Sequence, residues 1–404
     1  MSNPIVEWPF MHPVKGVALG TANARIKDND KDDVLIFALS EGAHVSGVFT
    51  QNVFCAEPVK IAKQHMSQVS ARYLLINSGN ANACTGELGF HAAMQTCDAV
   101  ARYAKTTPQH ILPFSTGVIG ETLPADKIVS AVPAAFSNLD EQHWLEAGQA
   151  IMTTDTCPKG ASEQIIIGGA TVTITGIAKG AGMINPNMAT MLGFIATDIA
   201  IAPALLDRIS RQAANDSFNR ITIDGDTSTN DACMLMATGQ AGNRLIQDEN
   251  SDYTAFLDAV IRVHQKLAKA IVKDGEGATK FITVDVQGGQ TKQECDDIAY
   301  AIAHSPLVKT AMFASDPNWG RIICAIGYAG VPLDPTLVTV HLDDVLIVEK
   351  GGRAISYTEE QGQAIVDKGA FTIRVNLHRG TEQGVLWTSD LSHEYVRINA
   401  EYRT

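Results

Sequence analysis

Paired cysteines, a surplus of basic charge and long apolar runs are all missing from this 404-residue chain. Its seven cysteines are Cys55, Cys84, Cys97, Cys157, Cys233, Cys295 and Cys324, with no CxxC and no cysteine–histidine cluster at zinc-finger spacing. An odd count without such spacing speaks against a disulfide framework or a structural metal, and reduced thiols are the expectation. Lysine and arginine number 31 against 44 aspartates and glutamates, a net charge of −13. That balance excludes a generally basic face for nucleic acid or an anionic membrane, while leaving room for a local cationic site. No apolar run approaches bilayer-spanning length. The opening MSNPIVEWPFMHPVKG has no basic stretch followed by an apolar one, so a secretory signal is not expected. A soluble cytoplasmic protein is the expectation.

What is present is ordinary globular material. The chain is 45% hydrophobic and 19% charged, enough for one large domain or two moderate ones. Short β-rich runs stand at 33–40, 44–50 and 72–77, before a helical pattern over 88–105 that places Phe90, Met94, Ala99 and Val100 near one face. QIIIGGATVTITGIA, 164–178, reads as a hairpin hinged at Gly168-Gly169. Amphipathic helices are predicted over 203–218 and 253–275, and strands over 280–288, 321–328, 371–377 and 384–391. The last ten residues, YVRINAEYRT, alternate as a strand does. The mixture predicts an α/β protein with mixed sheets covered by helices and no regular βαβ repeat.

The most unusual segment is KGAGMINPNMATMLG, 179–193. Flexible glycines and a proline-ordered turn lead to a small residue, Ala189, and then to Thr190 at the entrance of an apolar run. An N→O acyl shift needs such an arrangement: Thr190 Oγ1 attacks the Ala189 carbonyl, and hydrolysis of the ester leaves Thr190 as a new chain terminus. The freed α-amine, with an ordinary pKa of roughly 7.7–8.0, then lies beside its own hydroxyl as a built-in base. A plain loop into a strand reads the same way. KGAG lacks the order of a phosphate loop.

Ser115-Thr-Gly-Val-Ile-Gly follows a strand-like run, and Thr116 and Gly117 there could aim a hydroxyl and an N–H at one point, or form an ordinary turn. MTTDTCPK, 152–159, ends a helix and offers local capping groups. NSGNANACTG, 77–86, suits a helix N-cap, with Cys84 a small packing residue. DGDTSTND, 224–231, lacks the ligand alternation of a calcium loop. KDGEGATK, 273–280, sets Glu276 between glycines, where it could receive an ammonium group or face solvent.

Taken in order, these segments resemble the ornithine acetyltransferases (glutamate N-acetyltransferases) of arginine biosynthesis. The resemblance runs from GVALGTANARIK to the last residue and includes NSGNANACTG, STGVIGETLP, MTTDTCPK, KGAGMINPNMATML, DGDTSTNDACMLMATG, KDGEGATKF, SDPNWGRI and DLSHEYVRINAEYRT. It implies that family's mixed α/β fold and self-cleavage between Ala189 and Thr190. The products would be an α chain, 1–189, and a β chain, 190–404, assembled as α2β2. The family pattern makes Thr190 the nucleophile and Thr116 and Gly117 the oxyanion hole. It places substrate contacts on Thr153, Lys179, Thr190, Glu276, Asn399 and Thr404. The implied reaction moves acetyl from N2-acetyl-L-ornithine to L-glutamate through acetyl-Thr190, with no metal and no cofactor; whether acetyl-CoA serves as a further co-substrate is left open. An N-terminal-nucleophile amidase, in which water takes the acyl group, would use the same threonine. A phosphate-binding regulatory protein would instead remain one intact chain.

Overall fold

The computed structural model describes residues 6–27, 30–185 and 191–402. They fall into two compact units: one comprises Glu7–Asn219 and Asp226–Ile271, the other Met1–Val6, Arg220–Gly225 and Val272–Thr404.

The first unit begins with β1 (Val17–Ala22), β2 (Val34–Leu39), β3 (His44–Phe49), α1 (Glu57–Met66), β4 (Tyr73–Asn80), α2 (Gly86–Ala104) and β5 (Ile111–Val118). It continues through α3 (Ala125–Ser137), α4 (Trp144–Ala150), β6 (Lys159–Ile167), β7 (Ala170–Lys179), β8 (Leu192–Thr197) and α5 (Pro203–Asn215). Past β9 (Ile221–Thr222), which belongs to the second unit, come β10 (Ala232–Ala237) and α6 (Ser251–Lys273). One sheet runs β1-β2-β4-β5, with β4 and β5 parallel; another runs β3-β10-β8-β7-β6, with β8 and β10 parallel.

The continuous apolar run of β2 has a simple cause. Leu35, Phe37 and Leu39 face a core shared with Phe194 of β8 and Met234 of β10. Val34 and Ile36 face the opposite way, into a core with Cys97 and Val100 of α2 and Ile128 and Val132 of α3. A strand buried on both faces loses the polar alternation of a half-exposed one. Helices thus cover one face of the first sheet and the second sheet covers the other, while α5 packs against β3 and β10. The buried residues of α2 are Gly89, Ala93, Thr96, Cys97, Ala99, Val100 and Ala101, so Ala99 and Val100 face inward as expected while Phe90 and Met94 are only half-buried at the edge.

The second unit holds β11 (Phe281–Gly289), α7 (Lys292–His304), α8 (Pro306–Phe313), α9 (Trp319–Gly327), β12 (Thr339–Leu342), β13 (Val345–Glu349) and β14 (Gly352–Arg353). It ends with α10 (Glu359–Val366), β15 (Ala370–Asn376), β16 (Glu382–Ser389) and α11 (His393–Glu401). Its sheet runs β14-β13-β12-β15-β11-β16-β9, with β11 and β15 parallel. One core joins Ile282, Val284 and Val286 of β11 to Ile298 and Ile302 of α7 and Ile322 of α9.

Two expected strands are helices. RIICAIGY lies in α9, where the Asn318 side chain accepts the Arg321 N–H at 3.1 Å and Ile322, Ala325 and Ile326 are the buried residues. That 3–4 spacing is helical, and it outweighs the β-branched composition. YVRINAEYRT lies in α11 as far as it is described. Ser392 caps the Tyr395 N–H, and Arg397 pairs with Glu394 and Glu401 one turn either way. The predicted hairpin at Gly168-Gly169 is present as β6–β7.

Candidate active site

Parallel β4 and β5 end side by side, with Ser78 opposite Thr116 and Gly79 opposite Gly117. The carboxyl ends of parallel strands are where open α/β sheets place ligands. Gly117 has φ +135°, and a Cβ there would lie 2.3 Å from the Gly79 carbonyl carbon and 2.5 Å from the Asn80 nitrogen. Only glycine lets the two backbones approach so closely. Buried amides fix this corner. Ser115 Oγ donates to Asn77 Oδ1 at 2.6 Å, Asn77 Nδ2 to the Asn80 carbonyl at 2.9 Å, and Asn230 Nδ2 to the Ala81 and Ser115 carbonyls at 2.5 and 2.9 Å. The polar segment 77–86 is therefore an organiser of the β4–β5 corner. Its Thr85 stands at the N-cap of α2 without a side-chain cap bond, and Cys84 is exposed at φ +60° rather than packed.

Thr116 is buried, and its Oγ1 accepts a hydrogen bond from Lys179 Nζ at 3.1 Å. Lys179 ends β7 opposite Leu192, the first residue of β8, and the Met191 carbonyl accepts from the Ala232 N–H at 3.1 Å. Behind Lys179 lies a hub that the sequence reading passed over. Asp155 accepts the Lys159 ammonium at 2.6 Å and the Gly180 N–H at 2.7 Å through Oδ1, and the Thr153 N–H at 3.0 Å through Oδ2. Both side chains of the Asp155–Lys159 pair are fully buried. Burial alone would raise the Asp155 carboxyl; the charges of Lys159 and then Lys179, with the Lys159 and Gly180 hydrogen bonds, hold it well below the usual carboxylate range. One carboxylate thus ties the Thr153 segment to the residue after Lys179. Its signal in the sequence is an aspartate four residues before a lysine, within a motif read as local capping groups.

The second unit carries its own pair. Glu276 is buried rather than solvated, and its Oε2 accepts from Asn399 Nδ2 at 2.7 Å. Gly277, at φ +68°, turns the chain where a Cβ would meet Ser392 Oγ at 2.5 Å. Asp390 accepts the Thr279 and Lys280 N–H groups at 2.8 and 2.9 Å and the Thr279 hydroxyl at 2.5 Å, while Ser392 Oγ donates to the Gly277 carbonyl at 2.7 Å. Beneath this loop Lys309 is buried, donating to Thr388 Oγ1 at 3.0 Å and to the Ser389 carbonyl. Burial pushes its ammonium down to about 8, against the opposing pull of Asp390 and Asp224.

The predicted site residues thus form two groups: Thr116, Gly117, Thr153 and Lys179 in the first unit, Glu276 and Asn399 in the second. Ala189, Thr190 and Thr404 lie outside the described residues. Among the described residues no cluster of three histidine, cysteine or carboxylate side chains is placed to hold a metal ion, and no helix is long and apolar enough to cross a membrane.

Comparison with known proteins adds the following. The ArgJ family model matches residues 18–404. The arginine biosynthesis bifunctional protein ArgJ of Pseudomonas syringae pv. tomato is 55% identical over 398 residues, covering 98% of this chain and 98% of that protein. The protein of the same name from Pseudomonas fluorescens shows the same identity and coverage. The crystal structure of an arginine biosynthesis bifunctional protein argJ from Bacillus halodurans is 41% identical, with a TM-score of 0.49, covering 50% of this chain and 95% of that one.

Proposed function

The chain belongs to the ArgJ family, and from that premise we propose how its own residues carry the family's reaction. It is an acetyltransferase of arginine biosynthesis, moving acetyl from N2-acetyl-L-ornithine to L-glutamate. In our reading the chain cleaves itself between Ala189 and Thr190 into an α chain, 1–189, and a β chain, 190–404, which assemble as α2β2 in the cytoplasm. The Thr190 hydroxyl attacks the acetyl carbonyl of acetylornithine, and the α-amine of Thr190 takes the proton. The tetrahedral oxyanion is met by Thr116 and Gly117. As it collapses, the carbon–nitrogen bond breaks, the proton passes to the departing amine, and ornithine leaves acetyl-Thr190 behind. The α-amine of glutamate then attacks the ester, Thr190 Oγ1 departs, and N-acetyl-L-glutamate is released.

Lys179 pairs with the α-carboxylate that both amino acids share, beside Thr153. Glu276, held by Asn399, takes the ornithine ammonium, and Thr404 completes the substrate contacts. The observation that carries this reading is the 3.1 Å hydrogen bond from Lys179 to Thr116, which joins two sequence-predicted site residues 63 positions apart. The unreplaceable backbone of Gly117 beside Thr116 supports it further. The test is acetylglutamate formation by the purified protein. Acetylornithine as donor should sustain turnover that rises with glutamate, whereas a rate indifferent to glutamate would identify a hydrolase. Acetyl-CoA in place of acetylornithine asks whether this chain also takes a second donor.

A further inference from the structure

One cation beside the first-unit site has no part in the reaction as described. Lys27 ends GTANARIK, a segment held by the Asp33 carboxylate, which accepts the Ala24 N–H at 2.7 Å, the Ile26 N–H at 2.6 Å and the Lys27 N–H at 3.2 Å. The Lys27 stem crosses Gly79, where a Cβ would stand 2.7 Å from Lys27 Cγ. Gly79 is the residue opposite Gly117. At its far end Lys27 Nζ donates to the Met152 carbonyl at 3.2 Å, next to Thr153. Lys27 and Lys179 therefore flank the Thr116–Gly117 corner, one against Gly79 and Met152, the other on Thr116.

The surroundings of Lys27 set it apart. Lys159 is matched by Asp155 at 2.6 Å in full burial, and Asp33 is engaged by three backbone N–H groups. Lys27 is half-buried with its ammonium on a neutral carbonyl. Burial lowers its pKa, Asp33 and Asp155 oppose that, and Lys31 and Lys179 push it further down. A cation so placed is stabilised by an incoming anion. The two substrates differ in the matching respect. Acetylornithine brings one carboxylate and one ammonium, whereas glutamate brings two carboxylates.

Resting on the acetyl-transfer reading above, we propose that Lys27 binds the side-chain carboxylate of glutamate in the second half-reaction, while Lys179 keeps the α-carboxylate common to both substrates. Lys27 is then the residue that selects a dicarboxylate as acceptor. The carboxylate of the acceptor would replace the Met152 carbonyl as the principal partner of Nζ.

The test compares wild type, Lys27→Met, which keeps the stem over Gly79, and Lys27→Arg, which keeps the charge. Acetylation of the enzyme by acetylornithine is followed alone by rapid quench, and steady-state transfer is measured with glutamate and with glutamine as acceptors. Lys27→Met should acetylate at near the wild-type rate but lose roughly 30-fold or more in kcat/KM for glutamate, the scale expected when one member of a hydrogen-bonded charge pair is removed. Its preference for glutamate over glutamine should collapse by a similar factor, and Lys27→Arg should restore part of both. Unchanged glutamate kinetics, or an equal loss in both half-reactions with the acceptor preference intact, would overturn the proposal. If wild type forms no acetyl-enzyme, the covalent reading fails. The glutamate-to-glutamine ratio still decides the role of Lys27.

Discussion

Asp155→Ala is the perturbation whose size follows most directly from the geometry. It leaves the Lys159 ammonium buried without its carboxylate and strips the Gly180 and Thr153 N–H groups of their acceptor. Breaking a buried ion pair by deleting one partner costs about 3–5 kcal/mol. For a unit of this size each kcal/mol shifts the midpoint by about 2–4 °C, so Tm should fall by roughly 6–20 °C. Asp155→Ala combined with Lys159→Met removes both charges and should recover only part of the loss, because the two backbone donors stay unpaired. The pH dependence has a definite sign. The folded-state pKa of Asp155 lies below the ordinary value of 3.8, so its contribution is complete above that value and fades as pH falls beneath it. The gap between wild type and Asp155→Ala should therefore be full at neutral pH and narrow below about pH 4. Thermal unfolding followed by circular dichroism at several pH values checks both. A single variant within about 2–4 °C of wild type, the equivalent of 1 kcal/mol, would refute the hub.

Two further substitutions probe separate parts of the molecule. Thr116→Ala should leave the chain able to cleave but lower acetyl transfer by roughly 10²–10³, the usual effect of losing one oxyanion donor; unchanged kcat in a steady-state assay would take Thr116 out of that role. Lys309, pushed down from 10.5 to about 8 by burial, binds fewer protons folded than unfolded between those values, so its contribution to stability increases as pH rises across that window. Lys309→Met should lose that alkaline gain, read as the difference in Tm between variant and wild type from pH 8 to pH 10.5.

How legible this was depended on the kind of signal. Strands such as β2 and the β6–β7 hairpin were readable because a run buried on both faces and a Gly-Gly turn are local features. In α9 the local signals conflicted: Ile322 and Ile323 favour a strand, and only the capping Asn318 and the 3–4 spacing of buried residues reveal the helix. At the site, the ordered motifs pointed to Thr116, Lys179 and Glu276. The residues that build the first-unit corner around Thr116 and Lys179 were hidden, because Asp155, Asn230 and Lys27 bond to segments 25, 149 and 125 positions away. Asn230 reaches the Ser115 carbonyl across 115 positions, and no spacing along the chain announces that.

Covalent transfer through Thr190 is the central claim, and trapping tests it most directly. The mature protein is mixed with acetylornithine in the absence of glutamate, quenched within one turnover and analysed by mass spectrometry. The account predicts one added acetyl group on the fragment that begins at Thr190, on its side-chain oxygen, discharged when glutamate is supplied. Steady-state transfer running normally with no acetylated fragment at any quench time would contradict it.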